Sequence, residues 1–137
     1  MPVSIERPPK TYPAEHFFNR DLSLLQFQRR VLANAAEPAV PLLERLRFLC
    51  IVSSNLDEFF EIRVAGLKEQ QRQGVTRPGI DGIPLEDLLE QISAEVPSLV
   101  ARQYALLNQE ILPALAQEGI VFLRRHEWNE RQRRWIE

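Results

Sequence analysis

Ser53-Ser54-Asn55-Leu56-Asp57-Glu58-Phe59-Phe60 is the stretch on which the fold turns. An apolar run, Leu46, Phe48, Leu49, Cys50, Ile51 and Val52, stops at the Ser-Ser-Asn triplet. A second run, Leu56, Phe59, Phe60, Ile62 and Val64, starts directly after it. A helix packed in a core has no packing reason to carry three hydrogen-bonding side chains in a row. Such residues compete for backbone hydrogen bonds within helices and favour helix starts. The triplet therefore marks a cap between two helices, or a polar site held on a rigid helical frame, or both. Asn55 with Glu58 three residues later has the spacing of a capped restart. Whether the helices on either side are continuous stays open at this level.

Working outward, the preceding helix begins near Pro41 and carries Leu42, Leu43, Leu46, Leu49 and Cys50 as its apolar stripe. Cys50, the single cysteine, reads as a buried small apolar residue. Before it, Leu24, Phe27, Val31 and Ala35, widened by Leu25 and Leu32, predict a first helix over about Leu22–Ala36. Ser23 and Gln26 are its expected capping box, and Asp21 sits at its positive end. Pro38 and Pro41 separate the two helices. Residues 1–16 hold Pro2, Pro8, Pro9 and Pro13 and read as a proline-rich flexible arm, with order beginning near Phe17.

Downstream, the third helical stretch runs over about Leu56–Gln73. Gly74 to Pro84 is a loop with two turn signals, Pro78-Gly79 and Asp81-Gly82. A long helical region over about Leu85–Gln117 follows, kinked or split at Pro97 and Pro113 and stopped by Gly119. Ile120-Val121-Phe122-Leu123 is a strand or an extended edge segment. Asn129 is the expected cap of a last helix, Glu130 to Glu137, whose pattern breaks off and reads as a boundary within a longer protein. The expected fold class is all-α, a small helical bundle with at most one short extended segment near the C-terminal end. Its parts are the arm at 1–16, a helical domain at 17–123, and at 124–137 the start of a connection to a further domain.

Composition excludes several function classes. With 137 residues and 45% hydrophobic content the chain suits one domain with a core. A formal net charge of -2 gives no general attraction to nucleic acid or anionic lipid. One cysteine forms no disulfide within the chain, and a cytoplasmic setting follows by default. No apolar stretch has transmembrane length. His16 and His126 lie far apart in sequence, so no metal-ligand spacing exists. The five glycines include no phosphate-loop spacing. Asp57 and Glu58 are adjacent, pointing about 100° apart on a helix, and make a poor acid–base pair. The chain by itself does not read as a complete enzyme. Among its cations, Arg47 and Arg63 lie eight residues before and after Asn55 and, if the helix is nearly continuous, could lie on one face and receive phosphate. The bland alternative is a solvated face with ordinary ion pairs, for example from Glu44 to an arginine on an adjacent turn.

Phe18-Asn19-Arg20-Asp21-Leu22-Ser23, then Phe27 and Arg30-Val31-Leu32, then Pro41 through Leu49, and above all Ser53 through Phe60 with Arg63-Val64-Ala65-Gly66-Leu67, resemble the N-terminal domain of bacterial polyphosphate kinase, the first of two unrelated kinase families of that name. The match is dense from about residue 17 to 70 and looser from 85 to 137. The resemblance implies a helical domain forming one side of a nucleotide pocket. It implies a parent enzyme, cytoplasmic or membrane-associated, that moves the terminal phosphate of ATP onto polyphosphate, reversibly and through a phosphohistidine, with magnesium. It also implies that the reactive histidine belongs to later domains; neither His16 nor His126 lies in a matching context. It assigns ATP contact to Asn55. Leu24 stands where the family commonly has tryptophan. Arg63 is a candidate contact to nucleotide or to a neighbouring domain. Expected partners are ATP, polyphosphate, the remaining domains and further copies of the full-length chain, with no nucleic acid. An asparagine amide suits the edge of a base or a ribose, and at a helix start it would lie beside free N–H groups that favour anions. The resemblance thus favours an Asn55 that both caps and binds. The rival reading is a helical interaction module that chiefly holds domains or subunits together, with the basic-aromatic segment Arg131 to Ile136 as its contact.

Overall fold

Apolar spacing along three helical rods accounts for the architecture of the computed structural model, which describes residues 11–136. Helix α1 spans Arg20–Ala36. The second rod is α2 (Leu42–Glu58), a wider π-helical segment (Phe59–Val64) and α3 (Ala65–Arg72), with helical backbone angles at both junctions. The third is α4 (Leu85–Ala105), a π-helical segment (Leu106–Ile111) and α5 (Leu112–Gln117). A short helix α6 (Glu130–Ile136) follows near the C-terminal end. Helix α1 packs on α2 and α4, α2 packs on the second π segment, and α3 packs on α4. No strand occurs among the described residues, in keeping with the all-α expectation.

The core stripe of each rod is legible as a spacing. On α1 the buried residues are Asp21, Leu25, Gln28, Leu32 and Ala35, at steps of three and four. On the second rod they are Leu49, Val52, Leu56 and Phe59, then Val64 after a step of five. On the third, Leu99 is followed by Leu106, then by Ile111 after a step of five, then by Leu115. A step of five drifts off one face of an α-helix, whereas a π turn closes at i→i+5 and keeps both residues inward. Both π segments sit on these steps. In the third rod the wider turn also falls just before Pro113, which lacks an N–H and crowds the carbonyl of the preceding turn.

Several expectations are corrected. The second and third helices are one rod, so Ser53-Ser54-Asn55 is interior to a helix and Asn55 is not a cap. Ser53 and Ser54 are exposed and carry no packing. Helix α1 starts at Arg20, capped by Asn19, whose Oδ1 accepts from the N–H of Asp21 at 2.9 Å and of Leu22 at 3.0 Å. Ser23 instead donates back to the Asn19 carbonyl, so the Ser23–Gln26 box does not form. The α1 stripe is rotated from the expected one: Phe27 is 46% exposed, and Leu24 and Val31 are half-buried. Cys50 is exposed, because it lies one position off the inward-facing Leu49. Pro97 lies inside α4 without splitting it. Of the expected arm, residues 1–10 lie outside the described residues; Ala14–His16 form a 3-10 turn ahead of the expected start of order. Ile120 to Leu123 are exposed and form neither strand nor helix.

Other expectations match. Gly119 ends α5 at φ +80°, with Ile120 N–H reaching Leu115 O at 2.8 Å and Gly119 N–H reaching Ala116 O at 3.1 Å. Gly74 ends α3 in the same way, with Val75 N–H on Gln70 O at 3.0 Å. Asn129 and Gln132 cap α6 reciprocally, each side chain 2.8 Å from the other's backbone N–H.

Leu106 is fully buried at the start of the second π segment. Leu106→Ala is expected to lower the unfolding free energy of the chain by about 2–5 kcal/mol, the usual cost of truncating a core leucine. Urea melts followed by circular dichroism measure it, and a cost near that of a surface change would remove Leu106 from the core.

Candidate functional site

The second helical rod runs back along α1, and the two share three polar rungs within an apolar seam. Arg63 Nε donates to Asp21 Oδ1 at 2.8 Å, Asn55 Nδ2 donates to Gln28 Oε1 at 3.0 Å, and Arg45 Nε donates to the Ala35 carbonyl at 2.7 Å. Residue numbers rise along α1 as they fall along the second rod, which is antiparallel register. Asp21 and Gln28 both occupy the core stripe of α1, where an apolar residue is expected. A buried polar group there costs about 1–3 kcal/mol if left without a partner, so both must be met from across the seam.

Beside the upper two rungs the helices part and leave a groove of about 320 Å³. Helix α1 contributes Arg20, Leu24, Leu25, Phe27 and Gln28, and the second rod contributes Asn55, Glu58, Phe59, Ile62 and Arg63. The first π turn lies at this junction and brings Phe59, Ile62 and Arg63 onto the groove. The lining therefore combines aromatic and aliphatic surface, a pair of amides, and cationic groups. Arg30 sits over the Phe27 ring, 5.7 Å from its centre, and Phe59 meets Phe60 edge to face at 5.7 Å.

Arg63 is held from one side. Its hydrogen bond to Asp21 pushes the guanidinium pKa further up, with burial opposing, so it stays cationic throughout the working range. The Asp21 side chain is 5% exposed and the Arg63 side chain 38% exposed. Asp21 also lies in the first turn of α1, at the positive end of the helix dipole. Asn19, the cap of that helix, donates from Nδ2 to Asp81 at 2.8 Å, and Asp81 in turn accepts from Ile83 N–H at 3.0 Å. The loop after α3 thus anchors the start of α1 and, through it, Asp21.

The structure brings the two sequence-derived candidates, Asn55 and Arg63, to one groove. It does not bring Arg47 there, and the expected shared face of Arg47 and Arg63 is corrected: at about 100° per residue the two point well apart around the rod, and Arg47 is exposed and pairs with Glu44 at 3.7 Å. Arg45 turns away to Ala35 and to Glu110 at 2.9 Å. His16 and His126 do not line the groove. Sequence reasoning missed Gln28, Arg20 and the Asp21–Arg63 pair. The available signal was a glutamine and an aspartate at core spacing with Leu25 and Leu32. Among the described residues no three His, Cys, Asp or Glu side chains converge as metal ligands. With Asp21 engaged by Arg63 and Glu58 the single carboxylate on the groove, these residues do not fit a magnesium site.

The fold is a helical domain with an amphipathic, cationic-edged groove, and the comparisons give the family. The family described as the polyphosphate kinase N-terminal domain matches residues 17–123, and the chain belongs to it. Polyphosphate kinases of Burkholderia cenocepacia (strain HI2424) and Paraburkholderia phytofirmans (strain DSM 17436 / LMG 22146 / PsJN) are each 52% identical over 117 residues, covering 85% of this chain. That of Burkholderia multivorans (strain ATCC 17616 / 249) is 51% identical over the same length. The chain spans 17% of the length of these curated relatives. No solved structure matches.

Removing either member of the Asp21–Arg63 pair has unequal consequences. Arg63→Met strands a buried carboxylate and is expected to cost about 3 kcal/mol, whereas Asp21→Asn keeps an oxygen acceptor for the half-buried guanidinium and is expected to cost about 1 kcal/mol. Denaturant melts of the two variants decide it; equal costs would mean the carboxylate is better solvated than its burial indicates.

Proposed function

We propose that the chain is the N-terminal part of a polyphosphate kinase and forms one wall of its ATP pocket, with Asn55 touching the nucleotide. The observation that carries this reading is the groove shared by Asn55 and Arg63, about 12 Å apart along one rod by helical rise. An amide beside Phe27 and Phe59 suits a base or ribose, and a cation two turns on suits negative charge. The family match over 17–123 supports those residues as the domain. The names of the relatives support the parent reaction, transfer of the terminal phosphate of ATP to polyphosphate.

Within that reaction this chain binds and orients. Leu24, Leu25, Phe59 and Ile62 give the groove an apolar floor that displaces water from the nucleotide. Arg63, steadied by Asp21, meets phosphate or a neighbouring domain. The phosphohistidine and any magnesium site are assigned to the rest of the parent, since His16 and His126 lie off the groove and, among the described residues, no three His, Cys, Asp or Glu side chains converge as metal ligands. Full-length copies are proposed to associate, in the cytoplasm or at a membrane surface; no helix among the described residues is long and apolar enough to cross a membrane.

A second reading, the interaction module, draws on exposed apolar surface near the C-terminal end, where Phe122 is 62% and Trp135 87% exposed. One measurement separates the two. In the parent enzyme Asn55→Ala is expected to raise KM for ATP about 3- to 10-fold with kcat little changed, as loss of one neutral hydrogen bond implies. An unchanged KM favours the interaction module.

A further inference from the structure

We propose that Gln28 is a positioning residue for nucleotide recognition: its side-chain carbonyl holds the Asn55 amide nitrogen, so that Asn55 offers its oxygen to a hydrogen-bond donor of the nucleotide, an exocyclic amine or a ribose hydroxyl. This rests on the reading of the groove as an ATP wall and adds to it the orientation and the partner of the contact.

Gln28 is 6% exposed and sits one turn from Leu25 and one turn from Leu32 on the core stripe of α1. A leucine there would continue the stripe. A glutamine keeps its place in such a seam only if its amide is met, and among the described residues its hydrogen bond is the one from Asn55 Nδ2 at 3.0 Å. Both residues line the groove, so the pair lies at its wall rather than deep in the core. The backbone under Gln28 is fixed by the Asn19 cap and by the burial of Leu25 and Leu32. The backbone under Asn55 is interior to a helix, with Leu56 buried beside it.

What remains free are the amide torsions of Asn55 and Gln28, both broad two-fold rotors, and the structure pairs them with Asn55 Nδ2 on Gln28 Oε1. Unrestrained, Asn55 would present oxygen or nitrogen to the groove with similar ease. The Gln28 carbonyl accepts from nitrogen and repels oxygen, which selects one face. Asn55 Oδ1 is then left as the acceptor, with no partner among the described residues. The order lost on binding is thereby reduced before the ligand arrives.

Steady-state kinetics of the full-length parent enzyme, with thermal melts of each variant, test this. Asn55→Ala sets the reference. Gln28→Met, similar in volume and without an acceptor, is expected to raise KM for ATP about five-fold at unchanged kcat, the equivalent of one neutral hydrogen bond. Gln28→Glu keeps the acceptor and is expected to stay near the parent KM. The Asn55→Ala, Gln28→Met double variant is expected to be no worse than Asn55→Ala alone, since the two changes act on one contact. If Gln28→Met does not fold, Gln28→Ser, too short to reach Asn55, takes its place with the same expectation. Raised KM in Asn55→Ala beside normal KM in the Gln28 removal variant overturns the inference and leaves the pocket reading standing, even where the melting temperature falls. Gln28→Glu as damaging as Gln28→Met, or additive single changes, also overturns it. Unchanged KM in Asn55→Ala overturns the pocket reading and the inference together.

Discussion

The pairing of buried polar side chains across the α1–α2 seam is the constraint on which the rest depends. Apolar stripes alone tolerate a slip of one turn, because leucine meets leucine in either register. Asp21 and Gln28 do not. A slip would carry Arg63 and Asn55 away from them and leave a carboxylate and an amide buried without partners, at about 1–3 kcal/mol for the amide and more for the charge. The three rungs therefore hold α1 and the second rod in one antiparallel register. That register puts Phe27 opposite the Asn55–Arg63 segment and so creates the groove.

The π turn is the second device. It absorbs the five-residue step from Phe59 to Val64, keeps both inward, and lets α3 continue in phase against α4. It also re-aims Ile62 and Arg63 at the mouth of the groove. An α-helical continuation would need either Val64 or Phe59 to leave the core. Packing and site geometry thus share one local irregularity, a common association for π-bulges.

Much of this was legible in particular residues. The boundaries at Ala36, Gly74 and Gly119, the cap at Asn129, and the all-α class follow from local chemistry: proline geometry, a positive φ that glycine tolerates, and three- and four-residue spacing. Ser53-Ser54-Asn55 was misleading for a physical reason. Its residues have cap chemistry, but helix α2 is held together by Leu49, Val52 and Leu56 against α1, and tertiary burial outweighs the propensity of three polar side chains. Cys50 failed similarly: an apolar neighbourhood in sequence says little about which side of a helix faces inward.

By itself, then, the sequence determined a helical domain, its main stops, its family through a block of contiguous residues, and Asn55 as the residue to watch. Those properties depend on neighbours a few positions away, which a chain displays directly. Tertiary structure alone decided that Asn55 is interior to a helix, that its amide is matched by Gln28, that Arg63 is held by Asp21, and that Arg47 stands apart. The two cross-seam pairings join residues 27 and 42 positions apart. Such relations arise only once helix phase and register are set by packing, and no local propensity encodes them.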